Sequence, residues 1–150
     1  MAITQTNTMS SKDAAVQIDF ASSAFAAAVD ICSEVTQVEV DGGEYETSTI
    51  NRLCGLTPFT YVGNLQPFDV VVTALFTDGE TTDLHETLNT NKGETVWLRW
   101  SPKGGSSGNR RFTGSGVLYR VDLPPLDASS SDPITYQFAV LGSFAGENVA

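Results

Sequence analysis

Residues 67–100, PFDVVVTALFTDGETTDLHETLNTNKGETVWLRW, change hydrophobic period twice, and that switching restricts the architectures open to the chain more than any other feature. The run 68–77 is rich in β-branched and aromatic residues and is bounded by Pro67 and by Asp78-Gly79, which predicts a largely buried strand. Beyond Gly79 the period becomes helical. Thr81 or Asp83 is placed to cap a helix, Asp83 and Glu86 have capping-box spacing, and Leu84 and Leu88 fall on one face. This helix, spanning about 83–90, has only about two turns. It cannot stand alone, because nucleation costs more than so few hydrogen bonds return, so Leu84 and Leu88 must dock on a sheet. Gly93 stops it, and residues 94–101 then alternate, with Val96, Leu98 and Trp100 set against Thr95, Trp97 and Arg99.

The rest of the chain reads mostly as strands. Val16, Ile18 and Phe20 alternate with Gln17 and Asp19, while residues 22–29, SSAFAAAV, are open between a helical turn and a packed loop. In 33–41 the alternation slips at Gln37-Val38, which predicts a β-bulge that returns Val38 and Val40 to the apolar face. Gly42-Gly43 reads as a two-residue hairpin turn with 44–50 as the returning strand. In that register Asp41 faces Glu44, Val40 faces Tyr45 and Glu39 faces Glu46. Four carboxylates then share one face, although directly opposed like charges cost roughly a few tenths to 1 kcal/mol per pair. Such a face is a solvated edge, a cation site without the Asp-rich loop of an EF-hand, or a surface that acts by repulsion.

Residues 51–58 read as a loop or single helical turn ended by Gly55. Residues 102–116 read as a flexible Gly/Ser loop carrying Lys103, Arg110 and Arg111, three of the eight basic residues. No Lys-Ser or Lys-Thr pair follows its glycines, so it is not a phosphate cradle; a basic loop on an acidic chain suits an acidic partner, such as another copy. Val117, Tyr119 and Val121 form a strand ended by Pro124-Pro125. Ile134, Tyr136, Phe138 and Val140 give the clearest alternation, after which Gly142 permits a bend before a short tail with room for a final strand. The expected fold is mainly β, an antiparallel sandwich or barrel with one short flanking helix, preceded by a polar arm over 1–13; residues 14–150 form one domain.

Charge and chemistry narrow the function. The 150 residues carry 8 Lys and Arg against 18 Asp and Glu, a net charge of -10 that opposes any grip on nucleic acid phosphates. Cys32 and Cys54 are too few for a disulfide framework and are expected to be free and buried. There is no basic, apolar leader, and the Ala-rich stretch 20–31 is too short to span a bilayer, so cytoplasmic synthesis without a membrane partner is expected. His85 is the only histidine, which excludes a multi-histidine metal site, and no serine sits in a nucleophile elbow. The expectation is a protein without catalysis, metal or cofactor.

Taken together, the hairpin segment VEVDGGEYETSTI, the stretch TALFTDGETTDLHETLNTNKGETVWLRWSP with its W-x-R-W-type strand, Gly114-Ser115-Gly116 before a strand and Asp132-Pro133-Ile134 before the last strong one resemble the major tail tube protein of long-tailed phages and related gene transfer particles. The resemblance spans most of the chain. It implies two packed antiparallel sheets with a flanking helix, assembled as stacked hexameric rings in the tail of a virion, with tail terminator, tape-measure and tail-tip proteins as partners. DNA would pass through the lumen without specific binding. Under that reading Glu39, Asp41, Glu44 and Glu46 line the lumen or its rim, and the arm, with Thr4, Thr6 and Lys12, joins Lys103, Arg110 and Arg111 in contacts between subunits or rings. The same residues leave open another virion sandwich, a head decoration or tail-completion protein, and a monomeric module that binds a cation or basic ligand.

Overall fold

The computed structural model describes residues 13–77, 83–104 and 106–150. Among the described residues, nine strands and one helix follow in the order β1 (Ala15–Asp19), β2 (Val29–Asp30), β3 (Val35–Gly42), β4 (Tyr45–Ile50), β5 (Phe59–Leu65), β6 (Phe68–Leu75), α1 (Leu84–Thr90), β7 (Thr95–Ser101), β8 (Arg110–Val121) and β9 (Thr135–Asn148). Seven strands form one antiparallel sheet in the order β2-β1-β7-β8-β9-β6-β3, and β4 pairs with β5 in a separate two-stranded ribbon. The expected mainly β fold is present as a single sheet curled into a half-barrel with one short helix.

Alternation decides which face turns inward. Val16 and Ile18 of β1, Val96 and Leu98 of β7, Leu118 of β8, Phe138 and Val140 of β9 and Val70 and Val72 of β6 are buried in one core. The other face mixes polar residues such as Gln17, Arg99, Thr113, Ser115 and Ser143 with the apolar Val71, Trp97, Val117 and Leu141. Near the seam of the curl the chain ties β1 to β3 and β6 through the Ile31 N–H to the Val16 carbonyl at 3.0 Å and the Leu75 N–H to the Glu34 carbonyl at 2.7 Å.

The helix forms as its caps direct. The Glu86 N–H donates to the Asp83 carboxylate at 2.6 Å, and the backbone N–H of the C-cap Asn91 reaches the carbonyls of Asn89 and Thr87. Gly93, with φ +91, turns the chain onto the sheet, where its N–H donates to the Leu118 carbonyl at 2.7 Å. Leu88 is fully buried and Leu84 packs against the core, so α1 plugs the end of the half-barrel near Leu118 and Tyr136. His85 lies at that plug, its Nε2 3.0 Å from the Asp122 carbonyl and its ring edge-on to Phe76 and Tyr136. Burial, then the nearby Glu34 and Asp83 carboxylates, push the Tyr136 hydroxyl far above its ordinary range.

Residues 22–28 settle as successive turns, with Phe25 at φ 54, and Val29 opens β2. Buried Asp19 organises them: its carboxylate accepts from the N–H groups of Ala21 at 2.7 Å, Ser22 at 3.2 Å and Ala27 at 3.1 Å. These bonds, the one from Ala21 foremost, hold the Asp19 carboxyl below its ordinary value. The bulge in β3 falls between Val35 and Gln37, one residue before the expected slip.

Three expectations are corrected. Gly42-Gly43 is not a hairpin turn: β3 pairs with β6 from Val35↔Ala74 to Gly42↔Phe68, and β4 pairs with β5, not with β3. Residues 35–75 are one long antiparallel ribbon whose true tip lies at 51–58, and the two glycines, at φ +81 and +73, bend it midway. A β-carbon on Gly42 would run into the Pro67 carbonyl oxygen, so the bend requires glycine. Second, the loop assigned to 102–116 ends at Asn109, because Arg110 begins β8. Gly114 and Gly116 are not loop formers but flat positions in the sheet, where a β-carbon would strike the Ser143 and Leu141 carbonyls. Third, β9 continues straight through Gly142, which faces Gly116, so the tail is part of a strand of 14 residues.

Truncating Leu88 to Ala should cost about 2–5 kcal/mol in urea unfolding by opening a cavity under the plug, while the far-UV signature of the sheet persists. For Asp19 the sign follows from its lowered value. Its contribution is complete above the unfolded value of 3.8 and is lost as pH falls through the folded one. Asp19→Asn should therefore flatten the acid limb of Tm between about pH 5 and about pH 2 while lowering Tm at neutral pH; an unchanged acid limb would show that the turn is held otherwise.

Candidate functional site

The β4–β5 ribbon is the most unusual part of the molecule. Every residue of both strands is exposed, although Tyr45, Ile50, Phe59, Tyr61, Val62 and Leu65 belong to them. Its tip adds Leu56 and Leu53, the latter 87% exposed. Local interactions alone shape it: Phe59 and Tyr61 stack with ring centroids 6.2 Å apart, and the Arg52 Nε donates to the Thr57 carbonyl at 2.8 Å. Isolated two-stranded hairpins are marginal in water, and among the described residues nothing covers this one.

A second unfinished surface lies at the end of the half-barrel opposite α1. There the core opens into a recess of about 370 Å³ lined by Val40, Phe68, Trp100, Phe112, Phe144, Ala145 and Gly146. The aromatic rings pack edge-on or tilted: Phe68 on Phe144 at 6.5 Å, Trp100 on Phe112 at 5.9 Å and Trp100 on Phe144 at 5.6 Å. The Arg110 guanidinium stands 6.0 Å over Phe112 on its rim.

The four expected carboxylates do not share a hairpin face. Glu39 and Asp41 are exposed on β3, on the face away from the core, opposite Val71 and Asp69. Glu44 and Glu46 belong to the segment beyond the glycine bend, where Glu46 accepts from the Gln66 side-chain amide. The structure instead places Asp69 directly across from Asp41. That fifth carboxylate escaped the sequence reading, and the signal for it was a lone acid between Phe68 and Val70 in an otherwise apolar strand. The Tyr119 hydroxyl donates to both Asp69 oxygens at 2.8 Å, and burial followed by that bond raises its pKa.

The basic residues divide as well. Lys103 is exposed in the loop, Arg110 is exposed at the start of β8, and Arg111 pairs with Glu147 at 2.6 Å on the face away from the core. Arg99 joins this group, its Nε donating to Gln17 at 2.6 Å and its guanidinium 4.3 Å over Phe25; burial, then neighbouring Arg111, lowers its pKa. Thr4, Thr6 and Lys12 lie outside the described residues. Cys32 and Cys54 are both free, but Cys54 is exposed at the ribbon tip rather than buried, with φ 65. The Cys32 thiol donates to the Ala14 carbonyl at 2.8 Å. This constellation offers apolar and charged surface for another macromolecule.

No protein-family model matches the chain, and no curated protein matches it either. Solved structures do. A chain of the anti-feeding prophage (AFP) baseplate, 6-fold symmetrised, superposes with a TM-score of 0.64 at 13% identity over 99% of both chains. A chain from the PVC sheath-tube complex of an extracellular contractile injection system, in the extended state, gives 0.61 at 17% identity over 91% of this chain and 88% of that one. One from the tail of an empty gene transfer agent particle, with C6 symmetry, gives 0.61 at 14% identity over 93% and 97%. At these identities the likeness is one of fold, and this curled sheet with its short helix is a fold found among the components of phage-tail-like particles.

Proposed function

We propose that this chain is a structural, non-catalytic protein of a phage-tail-like particle, polymerising as stacked hexameric rings into a tube. The observation that carries the reading is the β4–β5 ribbon, which leaves Ile50, Phe59, Tyr61 and Val62 in water. Burying each of these side chains contributes about 1.5–3 kcal/mol, so covering the ribbon in an assembly repays a large part of the cost of association. The fold shared with a chain of a C6-symmetric tail supports the ring symmetry. Edge strands that meet across subunits would also remove the free edges of the half-barrel.

In this reading the face of the sheet away from the core lines the channel. Glu39 and Asp41, now with Asp69, make it acidic near β3, and Glu44 and Glu46 extend the charge onto the ribbon at the rim. A negatively charged wall repels DNA, which then slides without binding. Lys103 and Arg110, with the arm bearing Thr4, Thr6 and Lys12, serve contacts between subunits and rings, whereas Arg111, expected among them, is held by Glu147 on the channel face. Tail terminator, tape-measure and tail-tip proteins are the partners at the ends and in the lumen, and assembly takes place in the host cytoplasm.

Negative-stain microscopy of the purified protein is expected to show hollow tubes or stacked rings; uniform monomers at high concentration would overturn the proposal. The double variant Ile50→Asp, Phe59→Asp should abolish these particles while Tm stays within about 2 °C, because both residues are exposed in the monomer. A cryo-EM map of the polymer should place Glu39, Asp41, Glu44 and Glu46 on the channel or its rim. A map with all four on the outer wall would end the lumen assignment.

A further inference from the structure

Strand β9 is longer than the partner on one of its sides. On β8 it is paired from Val121↔Phe138 to Arg110↔Asn148, but on β6 its pairing stops at Phe68↔Gly142. Straight continuation would bring β5 alongside residues 143–148. Instead the ribbon leaves the sheet there: Gly42 and Gly43 bend it, and Pro67, which has no N–H to give, stands at the departure point. Among the described residues, 143–148 therefore has no strand on that side, and the backbone groups of alternate residues point into the gap. The gap runs beside the aromatic recess of Val40, Phe68, Trp100, Phe112 and Phe144.

From this register we infer that the slot beside residues 143–148 is filled by the β4–β5 ribbon of a second copy, which adds a strand to β9 and lays its apolar side chains over the aromatic recess. The inference deepens the assembly reading above and rests on it. Three properties of the ribbon match the slot. Among the described residues both its strands have a free hydrogen-bonding edge, as strand addition requires. It carries stacked Phe59 and Tyr61 with Ile50, apolar surface of the kind that lines the recess. Its base bears Glu44 and Glu46, opposite in sign to Arg110 on the rim of the recess. The arm 1–13 is a poorer occupant by composition, since its apolar residues other than Ala2 are only Met1, Ile3 and Met9. Because ribbon and slot are different surfaces of one chain, the contact is heterologous. Engaged one way, it propagates from copy to copy, closing into a ring or winding into a filament, whereas a reciprocal exchange of ribbons would stop at a dimer and give no ladder.

Site-directed cross-linking tests this in the full chain. In a Cys32→Ser, Cys54→Ser background, the pair Tyr61→Cys and Ala145→Cys, both at exposed positions, is treated with a short bismaleimide. The expected result is a ladder of covalent dimers and higher oligomers that either single cysteine fails to give. Tubes or rings by microscopy without such a ladder would overturn the docking site while leaving the assembly reading intact. So would an equal ladder from Tyr61→Cys alone, or an Ile3→Cys, Ala145→Cys chain that cross-links within itself when the ribbon pair does not. Absence of any particle or oligomer overturns both readings.

Discussion

The ladder between β8 and β9 carries the molecule. Eleven residue pairs hold the two strands together, from Arg110↔Asn148 to Val121↔Phe138, and everything else in the sheet is attached to one strand or the other. β7 and β1 build outward from β8, β6 and β3 from β9, and α1 closes the end near Leu118. The close approach depends on absent side chains: Gly114 lies under Phe144, and Gly116 faces Gly142, where any β-carbon would meet a neighbouring carbonyl.

That arrangement leaves the core complete at one end only. Leu88 seals the first, whereas the second is lined by partly exposed aromatic rings and faces a ribbon with no core of its own. Large exposed apolar patches are characteristic of interaction sites. Here two such surfaces occur on different elements, one projecting and one concave, and both issue from the bend at Gly42-Gly43.

Much of the body was legible in the sequence because local pattern and long-range packing agreed there. Alternation in β7 and β9, the Asp83 cap, the docking of Leu88 and the bulge in β3 each followed from a few neighbouring residues. The failure at Gly42-Gly43 is instructive, because the local turn chemistry was sound. What overrode it was burial: β3 against β6 sets Val38 beside Val72 and Val40 beside Val70, whereas the Thr- and Ser-rich residues 45–50 offer β3 nothing comparable to bury. The acidic cluster suffered with it, since a shifted register replaced Glu44 by Asp69 as the partner of Asp41. Glycines misled in a second place for a related reason. Gly114 and Gly116 look like loop residues by composition, and only the partner strand 28 or so positions away reveals them as contact points between backbones.

The difference between the two ends of the core gives the subunit a direction. A body sealed by α1 on one side and open at Phe112 and Phe144 on the other has no symmetry of its own to hide that difference. In the head-to-tail array proposed above, one terminus would show unused ribbons and the other vacant slots, so a single kind of terminating protein would not fit both. Orientation along such an array would be set within the monomer by the seven-residue helix that seals one end and the pair of glycines that turn the ribbon out of the other.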